Sequence, residues 1–192
     1  RDDVGDPRFA GAGRWVEADV DTHSGRDGSP SVPLTVVSVY VHTGEAETPK
    51  QEEKYAFLAA MEARMEQLRF DGRHVLVCGD VNIAHREADL KNWKGNLKKS
   101  GFLPDERAVL DRWFGELGWV DVTRSLAGEG PGPYSWWSWR GRAFDNDTGW
   151  RIDYQIASPE LAERAVKAVI DRAPSYAQRW SDHAPVVVDY DL

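Results

Sequence analysis

Two apolar runs on either side of an amphipathic stretch limit what this chain can fold into more than any other feature. Leu34-Thr35-Val36-Val37-Ser38-Val39-Tyr40-Val41 is almost unbroken in β-prone side chains, the pattern of a buried strand. Between Pro49 and Phe70, the residues Leu58, Met61, Met65 and Leu68 fall on one helical stripe, with Lys and Glu elsewhere. Val75-Leu76-Val77-Cys78 is a second short strand, ended by Gly79. Strands alternating with a long helix point to a sheet with helices outside it.

The remaining punctuation extends this pattern. Arg14-Trp15-Val16-Glu17-Ala18-Asp19-Val20 reads as a strand, and Gly25 to Pro33 as a turn-rich link. Pro104-Asp105-Glu106 is a good helix start, with Pro in the first turn and acids near the positive helix end. Val109, Leu110, Trp113, Phe114 and Leu117 continue that helix until Gly118. Ser135–Arg140, Arg151–Ala157, Ala165–Ile170 and Ala184–Tyr190 follow as strands, with a short helical turn over Pro159–Glu163. The fold class expected is α/β, a mixed sheet or a pair of sheets with outer helices, in one domain over residues 1–192.

Composition narrows the function. No run of 18 apolar residues exists, so no membrane span is expected. The single Cys78 cannot form an internal disulfide, which fits a reducing cytoplasm. A net charge of −8 argues against a general nucleic-acid binder. Locally the balance reverses: Lys91, Lys94, Lys98 and Lys99 occur with no acid among them, interleaved with Asn92, Trp93 and Asn96. Such a run is either a solvated loop or a phosphate-facing one.

Six residues sit on or at the end of expected strands and carry chemistry. Asp182-His183 pairs an acid with an imidazole just before an apolar run. Asp80 and Asn82, two apart after a buried strand, would face one pocket on extended backbone, although Gly79-Asp80-Val81-Asn82 is also good turn chemistry. Asp153 lies mid-strand, where Asp is depleted; it either orients His183 or pairs with an arginine such as Arg151. Tyr40 ends its strand, as a packing residue or with its hydroxyl toward a phosphate. His42 and His85 read as loop surface, and Cys78 as a small buried apolar residue. Acids, an amide, a phenol and one His, without a Ser or Cys nucleophile partner, favour metal-assisted water attack on a phosphodiester over acyl transfer.

Taken together, these motifs resemble the exonuclease III family of AP endonucleases, in the endonuclease/exonuclease/phosphatase superfamily. The resemblance rests on Tyr40-Val41-His42-Thr43-Gly44-Glu45, Gly79-Asp80-Val81-Asn82-Ile83-Ala84, Asn92-Trp93-Lys94-Gly95-Asn96, Trp136-Trp137-Ser138-Trp139-Arg140, Gly149-Trp150-Arg151-Ile152-Asp153-Tyr154 and Ser181-Asp182-His183-Ala184-Pro185, in that order. It implies a two-sheet α/β sandwich of the DNase I-like type. It also implies a Mg²⁺-dependent enzyme, with Mn²⁺ as the alternative ion, that cuts 5′ to abasic sites and removes nucleotides from 3′ ends of double-stranded DNA. The implied catalytic residues are Tyr40, Asp80, Asn82, Asp153 and His183, and the implied metal positions are Asp80, Asn82 and Asp182. Trp136, Trp150 and Ile152 would line the pocket for a flipped abasic sugar. Asn92, Lys94, Asn96, Lys98 and Arg140 would meet DNA. A monomer in the cytoplasm, at the nucleoid, is implied with this.

One departure matters. The family's Asn-bearing first strand, and the second strand whose Glu binds metal, do not occur in the sequence. The expectation is an N-terminally truncated member with a weakened metal site and an exposed, aggregation-prone edge. Two alternatives follow: a non-catalytic DNA-binding remnant, or a superfamily phosphodiesterase for a phosphoinositide or sphingomyelin.

Overall fold

In the computed structural model, β1 (Trp15–Val20) and β2 (Leu34–Tyr40) pair antiparallel. The structure describes residues 1–21, 33–70 and 72–192, and the Gly25–Pro33 link lies outside them except for Pro33. α1 (Pro49–Arg69) carries the chain over the sheet to β3 (His74–Asp80), which runs parallel to β2. Parallel neighbours need a long crossover, and α1 is that crossover. β5 (Asp153–Ala157) lies antiparallel on the other side of β3, and the short β4 (Val120–Asp121) lies beyond it. The sheet order is β1-β2-β3-β5-β4, and β6 (Ala165–Ile170) with β7 (Val186–Tyr190) forms a second, two-stranded sheet.

The predicted stripe of α1 is the core-facing one. Phe57, Leu58, Met61, Met65 and Leu68 pack on Val37, Val39, Val75, Val77, Tyr154 and Ile156 of the large sheet. A second cluster joins the two sheets: Leu34, Val122, Ala157 and Leu161 are buried there, with Val188 and Tyr190 against them. Val122 belongs to α3 (Val122–Ala127), capped by the Asp121 carboxylate on the Arg124 N–H, and Leu161 to α4 (Pro159–Ala162). Among the described residues, no helix is long and apolar enough to cross a membrane.

Some elements differ from their sequence expectation. The helix beginning at Pro104 is α-helical only to Asp111 (α2, Pro104–Asp111) and continues as a π turn over Arg112–Glu116. Ser135–Arg140 is not a strand. Trp136 exchanges both backbone hydrogen bonds with Trp150 at 2.9 Å, whereas Trp137 N–H donates to Asp182 O and Ala184 N–H to Ser135 O. Single bridges from two different segments hold it, so no continuous ladder forms. Side chains still alternate as on a strand: Trp137 packs with Tyr134, Phe144 and Ala184, and Trp136 turns away from them.

His42 and His85, expected at the surface, are both buried. His42 Nδ1 accepts from Arg14 at 2.9 Å, and His85 meets Asp111 at 2.7 Å. Cys78 is half-buried, its thiol on Val37 O at 3.3 Å.

Arg151 does not pair with Asp153. Its guanidinium is fully buried, with Nε 2.7 Å from Asp89 Oδ1 and Nη2 2.7 Å from Asp121 Oδ2. It lies 4.6 Å over the Tyr154 ring, and Arg124 also bonds Asp89. Removing a partner from a buried ion cluster strands the opposite charges. Arg151→Met is therefore expected to lower unfolding free energy by about 3–5 kcal/mol, measured by urea denaturation.

Candidate active site

Three neighbouring strands end at the same height. The register pairs Tyr40 with Asp80 and Asp80 with Asp153, so one row across β2, β3 and β5 carries a phenol and two carboxylates. Gly79 makes the close approach possible: at φ +144, a Cβ there would sit 1.9 Å from Val39 O.

After Asp80 the chain turns. Asn82 adopts φ +54, so the two side chains converge through a left-handed turn and not along extended backbone. Asp80 Oδ1 accepts from Asn82 N–H at 2.8 Å, and Asp80 Oδ2 accepts from Asn82 Nδ2 at 2.9 Å. Asn82 Nδ2 also donates to Val41 O at 2.8 Å, and Thr43 Oγ1 donates to Asn82 Oδ1 at 3.2 Å. Turn and pocket, the two readings of this motif, are realised together.

His183 arrives from the segment before β7. Its Nδ1 lies 3.0 Å from Asp153 Oδ2, and Ser135 Oγ donates to the same oxygen at 2.6 Å. Nε2 then faces Asp80 Oδ2 at 4.0 Å. Burial works against a charged ring, but the hydrogen bond and charge of Asp153 outweigh it and raise the His183 pKa. Burial, and after it the Asp153 charge, push the Asp80 carboxyl up to about 7.

Asp80, Asn82 and His183 open on a cavity of about 410 Å³ that also meets Tyr40, Trp136, Trp150, Ile152 and Asp182. Trp136 and Trp150 stand edge to face with centroids 6.2 Å apart, and Trp136 Nε1 donates to Asp182 Oδ2 at 3.0 Å. Tyr40 is half exposed at its rim. The structure thus gathers Tyr40, Asp80, Asn82, Asp182, His183 and the three pocket residues around one hollow, with Asp153 behind the His183 ring and outside the lining.

Among the described residues, one group of acids and imidazoles has ligating atoms close enough to hold a metal: Asp80, Asp153 and His183, within 4.8 Å of one another. Of the three expected metal positions, Asp80 is in this group. Asn82 donates its amide N–H to Asp80, and Asp182 is engaged by Trp136. The expected DNA residues lie apart. Asn92, Lys94 and Asn96 line a separate concavity with Lys91, Trp93 and Lys99, while Lys98 and Arg140 are exposed. Asn96 Nδ2 donates to Asn92 O at 2.8 Å, and Lys94 Nζ lies 5.4 Å over Trp93.

Sequence reasoning missed Lys54 and Glu106, which are fully buried beside the Asp80–Asn82 turn with Nζ 2.6 Å from Oε1. A signal was present: Lys54 begins the apolar stripe of α1, three residues before Phe57 and four before Leu58.

The chain is thus a two-sheet α/β fold with a carboxylate–histidine centre at its strand ends. The chain belongs to the endonuclease/exonuclease/phosphatase family, which it matches over residues 8–183. It is 45% identical to an exodeoxyribonuclease of Bacillus subtilis over 112 residues, which are 58% of this chain and 42% of that one. It is 31% identical to exodeoxyribonuclease III of Haemophilus influenzae over 185 residues, 92% of this chain and 66% of that one. The matched segments therefore span less than two thirds of either relative. Among solved structures it is similar to an AP endonuclease of Archaeoglobus fulgidus, with a TM-score of 0.76 and 27% identity over 92% of this chain and 72% of that one. The DNase I-like sandwich expected from the sequence is the fold observed.

The Asp80 carboxyl ties stability to pH. It keeps its proton to about pH 7 when folded, against 3.8 ordinarily, so its ionisation weakens the fold. In metal-free protein this contribution is intact below about pH 4 and is lost as pH rises to 7. The stability of Asp80→Asn relative to the parent is therefore expected to rise across that window, by at most about 4 kcal/mol, and to level off above it. Urea unfolding of both proteins in EDTA, from pH 4 to 8, measures this.

Proposed function

We propose that this chain is a metal-assisted DNA-repair phosphodiesterase, acting at abasic sites and at 3′ ends of duplex DNA, as a monomer in the cytoplasm. The observation that carries the reading is His183, held by Asp153 and facing Asp80 at the edge of the hollow walled by Trp136, Trp150 and Ile152. The donor set fits a hard divalent cation such as Mg²⁺ or Mn²⁺, because the Asp80 and Asp153 carboxylates stand together where burial already disfavours the charge of Asp80. Asp80 and Asp153 would hold such an ion, which would supply positive charge to a bound phosphate.

The chain's own groups divide the remaining work. Asp153 fixes the His183 ring so that Nε2, not Nδ1, is presented to the scissile phosphate. With its raised pKa, His183 donates a hydrogen bond to a phosphate oxygen and stabilises the charge gathering there. The Asp80 carboxyl, pushed up to about 7 without an ion, would be held ionised beside a bound cation and would accept a hydrogen bond from an attacking oxygen. The Asn82 turn holds that carboxyl in place through two hydrogen bonds. Trp136, Trp150 and Ile152 wall a hollow suited to a sugar without a base, which is how abasic DNA would be told from intact DNA. The exposed lysines of the Lys91–Lys99 loop contribute sequence-independent phosphate contacts.

The test is incision of a duplex containing one abasic analogue, with Mg²⁺ and with EDTA. The reading expects Mg²⁺-dependent cutting at the analogue. Asp80→Asn and His183→Asn should each lower kcat by about 10²–10⁴-fold with DNA affinity little changed. Metal-independent cutting, or equal internal incision of intact duplex, contradicts it; tight DNA binding with no turnover supports the binding-remnant alternative. A second outcome concerns salt. Replacing Lys94 and Lys98 with Ala should make the dependence of log affinity on log salt shallower by about 2, read by fluorescence anisotropy.

A further inference from the structure

We infer that Lys54 and Glu106 are positioning residues that clamp the Asp80–Asn82 turn to the loop bearing the basic run. Both side chains are fully buried and neither touches the cavity. Lys54 Nζ donates to Glu106 Oε1 at 2.6 Å and to the backbone carbonyl of Asn82 at 2.9 Å. Asn82 sits at φ +54, a conformation that costs a non-glycine residue energy unless its surroundings hold it. The ammonium holds the carbonyl end of that residue, while Asp80, Val41 and Thr43 hold its amide end.

Glu106 closes the clamp. Its Oε2 accepts from Gly101 N–H at 2.6 Å and Leu103 N–H at 3.0 Å; its Oε1 also accepts from Ser100 Oγ and Gln51 Nε2, each at 3.0 Å. Gly101 in turn abuts both partners: a Cβ there would lie 3.1 Å from the Trp150 ring and 3.3 Å from Asn82 O. Ala84 N–H donates to Gly101 O at 2.8 Å. One buried ion pair thus joins α1, the carbonyl behind the Asp80–Asn82 turn, and the loop that packs on a wall of the hollow. A buried ion pair is weak evidence for stability, and the role inferred for this one is to fix a single geometry. The catalytic turn and the DNA-side loop would then hold one spacing, set by Lys54.

The inference rests on the phosphodiesterase reading for its kinetic consequence only. Lys54→Met alone would strand the Glu106 charge, so the informative protein is the double variant Lys54→Met/Glu106→Gln. There the new amide N–H₂ takes the place of Oε1 and donates to Gln51 Oε1, an oxygen with no partner in the parent, once the Gln51 amide turns over from presenting Nε2; its oxygen still accepts from Gly101 and Leu103. Two measurements are made on it. By NMR, the Asn82 side-chain amide protons should exchange at least about tenfold faster than in the parent while Gly101 and Leu103 amides keep their protection. In the abasic-duplex assay, kcat should fall about tenfold or more with KM within about threefold. Unchanged Asn82 exchange overturns the inference, as does altered exchange with unchanged kcat. If the parent chain does not cut DNA, that outcome counts against the proposed function, and the NMR comparison alone decides the clamp.

Discussion

The site depends on one row of backbone register. Tyr40, Asp80 and Asp153 stand side by side because β2 pairs parallel with β3 and β3 antiparallel with β5. A slip of one residue in either pairing would turn the carboxylate to the opposite face of the sheet. The apolar stripe of α1 prevents that slip, since Val37, Val39, Val75 and Val77 would leave the core with it. His183 is then brought to the row by the Ser135–Trp137 segment, which bonds Trp150 on one side and the Asp182–Ala184 backbone on the other. The wall of the hollow and the histidine are therefore placed by the same few hydrogen bonds.

Among the described residues, two kinds of buried charge meet at and beside the site. Arg151 with Asp89 and Asp121, and Lys54 with Glu106, are opposite charges that compensate each other at 2.6–2.7 Å. Asp80 and Asp153 are like charges sharing one imidazole, and burial, with the Asp153 charge after it, raises the Asp80 pKa to about 7. Clusters of the first kind hold geometry. Those of the second kind disfavour their own ionised form, which is useful where a cation or a phosphate is to be received. The two compensated clusters flank the uncompensated one: Lys54 bonds the carbonyl of Asn82, and the Arg151 backbone precedes Ile152 and Asp153.

Much of the fold could be read from periodicity. β2, α1 and β3 fall where their apolar patterns put them, because each buries a continuous face against its neighbours. Ser135–Arg140 carries strand-like alternation yet forms single bridges, since its partners come from two distant segments that no local pattern announces. Asp80 and Asn82 do share one pocket, but by a left-handed turn. The burial of His42 and His85 was not legible, for their partners Arg14 and Asp111 lie 28 and 26 residues away. Lys54 was legible in principle: a lysine at the head of an apolar stripe requires a buried acid, and Glu106 is that acid.

The central claim is that the row of strand ends forms a divalent-cation site facing the hollow. Titrating Mn²⁺ into ¹⁵N-labelled protein, and following paramagnetic broadening, tests it most directly. The account predicts that signals of His183 and of the backbone around Asp80 and Asp153 broaden first, and that Asp80→Asn abolishes this selectivity. Broadening that begins at exposed carboxylates away from the hollow, or that is unchanged in Asp80→Asn, would contradict it.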